Sequence, residues 1–337
     1  MTDFATTYMG LGLANPLVAS PSPLSRNLDG VTRLADAGVG AVVLFSLFEE
    51  QLREDAVRTA RLVDAVANSS PEALDYFPAL AEEDVGPRQY LSLIERATSR
   101  VGVPVIASLN GVTPEGWTGY AREMQDAGAA AIELNIYYPA SDPGTPGREV
   151  EQRYVDVLML VKDAVTVPVA VKLSPYFSSM GEMAVRLDEA GADALVLFNR
   201  YLQADVDAEE LAVVPNVALS NRADARLPRS WIARLRGRVR AALAATSGVE
   251  GPDDVAAYLL AGADVVMTTS ALLRNGPDYA TVLLDGLSSW MKRKGFNAVG
   301  EVRGLLSVPV GTDVAAYQRA DYVSAMRSAN AGVYDPR

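Results

Sequence analysis

The most regular pattern of polar and apolar positions is a unit that occurs at residues 36–46, 126–135, 189–199 and 260–270. Each unit begins with residues typical of a helix end, continues with Ala-Gly, and then becomes a short apolar run. The glycine suits the left-handed conformation that commonly ends a helix. The repeated unit therefore predicts strands that each follow directly on a helix.

A second set of apolar segments lies between these units, at residues 17–20, 105–110, 169–174 and 241–246. Val-Pro-Val introduces two of them, and proline is tolerated at the first residue of a strand. Most of the segments that separate the strands have helical periodicity. Helices are predicted at 27–37, 116–127, 150–165, 180–190 and 251–261.

Strands that alternate with helices predict parallel βα units, and the two interleaved sets predict a closed α/β (β/α)8 TIM barrel. A doubly wound open sheet is the alternative fold. Residues 6–15 predict a hairpin that caps the end of the barrel opposite the active site. The long connections at 47–100 and 200–240, after strands 2 and 6, predict loops that cover the mouth. We expect one barrel domain over residues 1–310 and a C-terminal extension over residues 311–337.

The overall charge narrows the range of partners. The 337-residue chain has a net charge of -12, which argues against nucleic acid because binding the nucleic-acid backbone needs clustered Lys and Arg. A small-molecule substrate is expected, and a homodimer is considered. The sequence has neither a signal peptide pattern nor an apolar run of membrane-spanning length, so a cytoplasmic protein without a membrane partner is expected.

The chain contains no Cys and no His, which limits the chemistry it can perform. Thiol nucleophiles, iron–sulfur clusters, Ser-His-Asp triads and imidazole-bound zinc are excluded, and no metal site is predicted. Lys, Tyr, Asp and Glu remain as proton carriers. Any difficult reaction must therefore depend on a cofactor.

Polar residues at strand ends indicate where the site lies. Glu133 and Asn135 lie on the buried segment 131–136, and the chain then enters a Pro/Gly-rich loop at Tyr138. Asn199 ends an equivalent strand. Paired amides at equivalent positions could bind a planar heterocycle, and a capping or turn role is the alternative for each.

Lys172 lies in the middle of the apolar segment 169–174. A buried ammonium group without a partner is costly, so a lysine that points into a barrel normally meets an anion or a ligand. We favour a ligand, and an ion pair with Glu133 on the neighbouring strand is the alternative.

Small and hydroxylated residues follow strands 7 and 8, at Ser247-Gly248 and Thr269-Ser270. In this fold the loops after strands 7 and 8 commonly bind phosphate through backbone N–H groups. The positions therefore predict a phosphate site, although a plain turn is the alternative for such a short motif.

Taken together, these segments resemble the FMN-dependent dihydroorotate dehydrogenases, and more closely the dihydroorotate dehydrogenase-like proteins. The resemblance runs from 15–20 to Gly295 and includes Glu133-Leu-Asn135 and the segment 171–177. It implies that FMN is the cofactor and that Lys172 reaches the N1/C2 side of the flavin. The other cofactor-binding residues that it implies are Ser20, Ser46, Ser108, Asn135, Asn199, Ser247, Gly248, Thr269 and Ser270.

The sequence also departs from the family at the substrate side. The family's Asn-x-x-Cys-Pro-Asn pattern, whose Cys or Ser is the base, reads here Asn135-Ile-Tyr-Tyr-Pro-Ala140, which puts Tyr138 at the base position. The departures from the family indicate that orotate recognition is lost while the flavin site is mostly kept. The chain has Phe45 where the family has a lysine, Asn199-Arg200 where it has Asn-Ser, and residues 75–78 where it has an Asn-rich loop. Ser247 and Thr269 stand where the family has glycines.

The sequence therefore predicts an FMN-dependent oxidoreductase that acts on the CH–CH bond of a small molecule other than dihydroorotate. Tyr138 and Lys172 are the predicted catalytic residues. The alternatives are an authentic dihydroorotate dehydrogenase with an unusual base, a non-catalytic flavin-binding protein, and an aldolase that uses Lys172 as a Schiff-base nucleophile.

Overall fold

The computed structural model describes residues 2–51, 86–111, 117–138, 140–200, 204–214 and 218–332. Its centre is a closed barrel in which neighbouring strands are parallel, in the order β11-β12-β3-β4-β5-β6-β7-β8. The predicted TIM barrel is confirmed, and the open-sheet alternative is wrong. The barrel strands are β3 (Leu17–Ala19), β4 (Ala41–Phe48), β5 (Val105–Gly111), β6 (Ala131–Ile136), β7 (Val169–Leu173), β8 (Ala194–Leu197), β11 (Ala242–Ala245) and β12 (Val265–Thr268).

Helices surround the barrel at the predicted positions. The glycines of the repeated unit, Gly38, Gly128, Gly191 and Gly262, all have positive φ between 92° and 119°, as the pattern predicts. Each of these turns brings the chain from a helix directly into a strand. The helices are α1 (Leu28–Asp36), α2 (Pro87–Arg100), α3 (Trp117–Asp126), α4 (Gly147–Ala164), α5 (Met180–Glu189), α6 (Arg226–Leu235), α7 (Pro252–Ala261), α8 (Ser270–Asn275), α9 (Tyr279–Lys294), α10 (Val299–Val302) and α11 (Val314–Gly332).

Two separate apolar layers follow from the alternation of side chains along the strands. One face of each strand packs against the surrounding helices. The other face fills the barrel with apolar side chains, which include the small side chains of Ala41, Ala131, Ala170, Ala194 and Ala244. These alanines form the part of the barrel interior that lies below the polar residues of the site.

The N-terminal segment forms the predicted hairpin, with β1 (Thr6–Tyr8) antiparallel to β2 (Leu11–Leu13). Tyr8 is completely buried in the cluster that fills the barrel. The Thr6 hydroxyl donates to the backbone oxygen of Asp264, which precedes β12. The hairpin therefore closes the amino-terminal end of the barrel, as predicted, and leaves the carboxyl ends of the strands for the site.

The two long connections differ in what can be described. Most of the connection after β4 lies outside the described residues, including the segment 75–78 that departs from the family pattern. The connection after β8 contains α6 and a small hairpin of β9 (Asp205–Asp207) and β10 (Ala212–Val214), which the sequence pattern did not predict. Beyond the barrel, α11 lies within the predicted extension. Among the described helices, none is long and apolar enough to cross a membrane.

Candidate active site

Polar side chains occupy the carboxyl half of the barrel. In the strand register, Ser108 of β5 is paired with Glu133 of β6, and Asn135 of β6 is paired with Lys172 of β7. Ser108, Glu133, Asn135 and Lys172 are all buried. Because parallel strands share one carboxyl end, the fold brings residues from separate parts of the chain to a single polar centre.

A cavity of about 260 Å³ opens at this end of the barrel, between the loops that follow β8, β11 and β12. Residues at the carboxyl ends of β3, β8, β11 and β12 line it, and it reaches inward to Lys172 of β7. Much of the predicted cofactor site therefore faces one space. The predicted residues that line it are Ser20, Lys172, Asn199, Ser247, Gly248, Thr269 and Ser270.

Lys172 makes the ion pair that was the alternative interpretation of its burial. Its Nζ donates to Oε1 of Glu133 at 3.3 Å. The residue is only 8% exposed, and it also lines the cavity. The ion pair and a ligand role are therefore compatible, because Glu133 holds the ammonium group while the cavity leaves it accessible. The pair makes an aldolase less favourable, because a Schiff-base lysine must be uncharged to attack.

The two asparagines at equivalent strand ends contact each other. Nδ2 of Asn199 donates to Oδ1 of Asn135 at 2.7 Å. Asn199 lines the cavity, and Asn135 lies behind it beside Lys172. The contact fixes the orientation of both amides, which the sequence had placed at equivalent strand ends.

Ser46 and Ser108 also form a pair, with their hydroxyl oxygens 2.8 Å apart. An irregularity in the register of β4 between Val43 and Ser46 allows this contact, because it shifts the alternation of side chains along the strand. Phe45 then packs edge-on against Tyr90 of α2, with ring centroids 5.1 Å apart. The position at which the family carries a lysine is therefore part of the packing between strand and helix.

The predicted phosphate loops are joined by a third segment. The backbone N–H of Gly248 donates to Oγ of Ser220, whose hydroxyl donates in turn to Oγ of Ser270. The hydroxyl of Thr269 donates to the backbone oxygen of Ser20. Hydroxyl groups and a backbone N–H from three parts of the chain thus lie together, which is a composition suited to a phosphate group.

Gly248 has a structural requirement for glycine. Its φ is +70°, and a Cβ at this position would lie 2.5 Å from the backbone nitrogen of Ala225. No other residue type fits without moving the chain. The close approach of the 3₁₀ segment Arg222–Ala225 to the loop after β11 therefore depends on this glycine.

The N-terminus of α7 is already satisfied from within the helix. Asp254 accepts hydrogen bonds from the backbone nitrogens of Glu250 and Gly251, and Arg222 pairs with the same carboxylate at 3.1 Å. An incoming phosphate would be repelled by Asp254. Any phosphate contact thus falls to the Gly248 and Thr269-Ser270 loops rather than to this helix end.

Tyr138 lies beside a second, separate pocket of about 290 Å³. The ring is half-buried, and the guanidinium of Arg153 lies 4.0 Å from its centroid. Ser174 also lines this pocket, and because it follows Lys172 by only two residues, the pocket lies close to the polar centre. The described lining residues are uncharged: Tyr138, Ala140, Ser141, Val150, Tyr154, Ser174, Tyr176 and Phe177.

Arg200 and Ser220 are among the residues of the main cavity that sequence reasoning did not assign to the site. Arg200 lines it and donates to the backbone oxygen of Ala218, and Ser220 bridges the two phosphate loops. Arg200 could have been recognised as a cation placed directly after a barrel strand. Ser220 lies far from any strand end in sequence and carries no comparable signal.

A (β/α)8 barrel with a cation and two hydroxyl-rich loops at its carboxyl end defines a class of phosphate- and cofactor-binding enzymes. The family model described as "Dihydroorotate dehydrogenase" matches residues 5–291, which is most of the chain. The chain belongs to this family, as the sequence resemblance indicated, and it is an oxidoreductase of that family. Proteins of this family are flavoproteins.

Individual relatives are similar over nearly the whole chain. The catalytic subunit of dihydroorotate dehydrogenase B (NAD(+)) from Methanothermobacter thermautotrophicus is 27% identical, with 89% of this chain and 97% of the relative aligned. Its counterpart from Thermoplasma acidophilum is 26% identical over 90% of this chain and 99% of the relative. The NAD-dependent dihydropyrimidine dehydrogenase subunit PreA of Escherichia coli K12 is 25% identical over 90% of this chain and 76% of the relative.

Proposed function

We propose that the protein binds FMN in the main cavity and transfers reducing equivalents to or from the CH–CH bond of a small molecule other than dihydroorotate. The observation that carries this proposal is the single cavity that unites Lys172 with the loops after β11 and β12 in a barrel of this family. Bound FMN would supply the hydride-accepting and hydride-donating centre.

The residues present fit such a cofactor. Ser247, Gly248, Thr269 and Ser270 offer hydroxyl and backbone groups to a phosphate, which would replace part of the Ser220 contact. Lys172 faces the same cavity at its inner end, where a cation would stabilise negative charge on a reduced ring. Asn199 lines the same cavity, and its contact with Asn135 would present a fixed amide to the heterocycle.

Tyr138 is proposed to exchange the proton that accompanies hydride transfer. It lies on the loop after β6, next to the pocket that adjoins the polar centre. The uncharged lining of that pocket favours a neutral, largely apolar substrate over a carboxylate. A role as an aromatic cover is the alternative for Tyr138, because the ring is also held by Arg153.

A second candidate is dihydroorotate oxidation itself. It is favoured by the relatives that are named as dihydroorotate dehydrogenase B catalytic subunits. Against it stand the departures at Tyr138 and Ala140. The homodimer and the cytoplasmic location stay predictions.

We expect FMN, rather than FAD, to co-purify with the protein. The cavity has one hydroxyl-rich phosphate region, and the sequence has no Gly-x-Gly-x-x-Gly fingerprint for a dinucleotide. A visible absorption spectrum, followed by mass spectrometry of the released cofactor, tests this. A colourless protein that takes up no FMN at micromolar concentration would contradict the proposal.

We expect Gly248→Ala to weaken FMN binding by roughly tenfold or more, because the added methyl group collides with Ala225 and shifts the phosphate loop. Gly10→Ala is the matched control, since Gly10 has a similar φ of +78° and open space around it in the N-terminal hairpin. Both variants introduce the same backbone strain. Fluorescence titration of apoprotein with FMN should therefore separate them, and equal affinities would remove the phosphate role from this loop.

A further inference from the structure

We propose that Glu133 is a positioning residue of the flavin site, which holds the Lys172 ammonium in place and partly neutralises its charge towards the bound cofactor. This inference rests on the proposed binding of FMN. According to this inference, the buried Glu133 carboxylate determines how strongly the site prefers reduced over oxidised flavin.

The geometry places Glu133 beneath Lys172. Glu133 lies one alternation below Asn135 on β6, is 0% exposed, and does not line the cavity. Its Oε1 accepts from Lys172 Nζ, while its Oε2 is buried without a hydrogen-bond partner among the described residues. Lys172 therefore meets the cavity, and its counter-charge lies on the side away from the cavity.

The Glu133 carboxylate also affects another buried group inside the barrel, the hydroxyl of Tyr8. Burial raises the pKa of Tyr8 well above its ordinary value, and the nearby Glu133 carboxylate adds to that rise. The hydroxyl of Tyr8 is itself buried without a hydrogen-bond partner among the described residues. In such a low-dielectric interior a charge is weakly screened, so the field of Glu133 also reaches a ligand on the other side of Lys172.

A carboxylate in this position has a cost that packing does not explain. A buried carboxylate with one ionic contact and one unsatisfied oxygen is less favourable than an apolar side chain of similar volume. Its electrostatic effect on Lys172 gives the carboxylate a function. With Glu133 present, the pair is close to neutral; without it, the cavity would face an uncompensated cation that attracts an electron-rich ring more strongly.

The test is the ratio of the affinities for reduced and oxidised FMN, obtained from the midpoint reduction potentials of free and bound FMN. We expect Glu133→Gln to raise this ratio by about tenfold or more, which corresponds to a rise of about 30 mV for a two-electron couple. Asp193→Asn is the matched control, because Asp193 pairs with Lys162 at 2.6 Å at the opposite end of the barrel. That control should leave the ratio unchanged.

A second variant keeps the test valid if glutamine impairs folding. Glu133→Asp retains the charge but moves it away from Lys172, and we expect an intermediate rise in the ratio. An unchanged ratio in Glu133→Asp and Glu133→Gln, combined with a lower melting temperature, would overturn the inference and leave Glu133 a structural residue. Failure of the wild-type protein to bind FMN would instead overturn the proposed function, and this inference with it.

Discussion

Replacing Lys172 by Met should weaken FMN binding by roughly 10- to 100-fold, or lower the reduction potential of the bound cofactor. The substitution removes the cation at the inner end of the cavity. A charge-assisted contact contributes roughly 1.5–3 kcal/mol, and each 1.4 kcal/mol is about tenfold in affinity. Titration of apoprotein with FMN and potentiometry on the loaded protein measure the two effects.

The same substitution should also destabilise the fold, because it leaves the Glu133 carboxylate buried and unpaired. Breaking one partner of a buried pair costs roughly 3–5 kcal/mol. The double variant Lys172→Met/Glu133→Gln should recover most of that stability without recovering FMN affinity. Lys162→Met, which breaks the partly exposed Lys162–Asp193 pair, serves as the control. If Lys172→Met lost stability but kept its affinity and potential, Lys172 would be only half of a structural ion pair.

The fold could be predicted because its signals are local. Each repeated Ala-Gly unit encodes a helix end and a strand start within a few residues, and the observed positive φ at Gly38 and its three equivalents follows directly. The hairpin β9–β10 was not predicted, since its short strands are exposed and carry no alternation with a buried face. Its pairing depends on contacts within the long connection rather than on a pattern that the sequence repeats.

The candidate site was predictable as a set of strand ends but not as a set of contacts. Lys172 and the loops after β11 and β12 reach one cavity because barrel topology places all carboxyl ends together. The contact between Asn135 and Asn199 depends on side-chain directions that residue spacing does not fix. The irregularity in β4 likewise decides that Ser46 meets Ser108 while Phe45 packs against Tyr90, and a one-residue shift of this kind has no signature in the apolar run.

The protein should show no dihydroorotate oxidation but should, once reduced, be reoxidised by activated alkenes. Oxidation needs a base, and a phenol holds its proton at neutral pH more firmly than the thiol of cysteine, which is one of the two residues, Cys or Ser, that the family carries at the position of Tyr138. A phenol is better suited to donating its proton to the alkene carbon that gains negative charge while the other carbon takes the hydride. The described residues that line the adjoining pocket are also uncharged, and the Arg153 guanidinium beside it is stacked on the Tyr138 ring.

Two assays separate these outcomes. The first assay supplies dihydroorotate with fumarate, a quinone or a dye as acceptor. Turnover should be negligible, because a site that leaves a polar group of the substrate unpaired can discriminate against that substrate by roughly 10⁴-fold.

The second assay follows reoxidation of the dithionite-reduced protein by a panel of activated alkenes. Tyr138→Phe should slow this step by roughly 100-fold, the usual contribution of a general acid, without changing FMN affinity. Tyr322→Phe, on the exposed face of α11, is the control. Robust dihydroorotate turnover that survives Tyr138→Phe would instead show that the protein acts on dihydroorotate, the substrate in the names of its relatives, and that Tyr138 only covers the site.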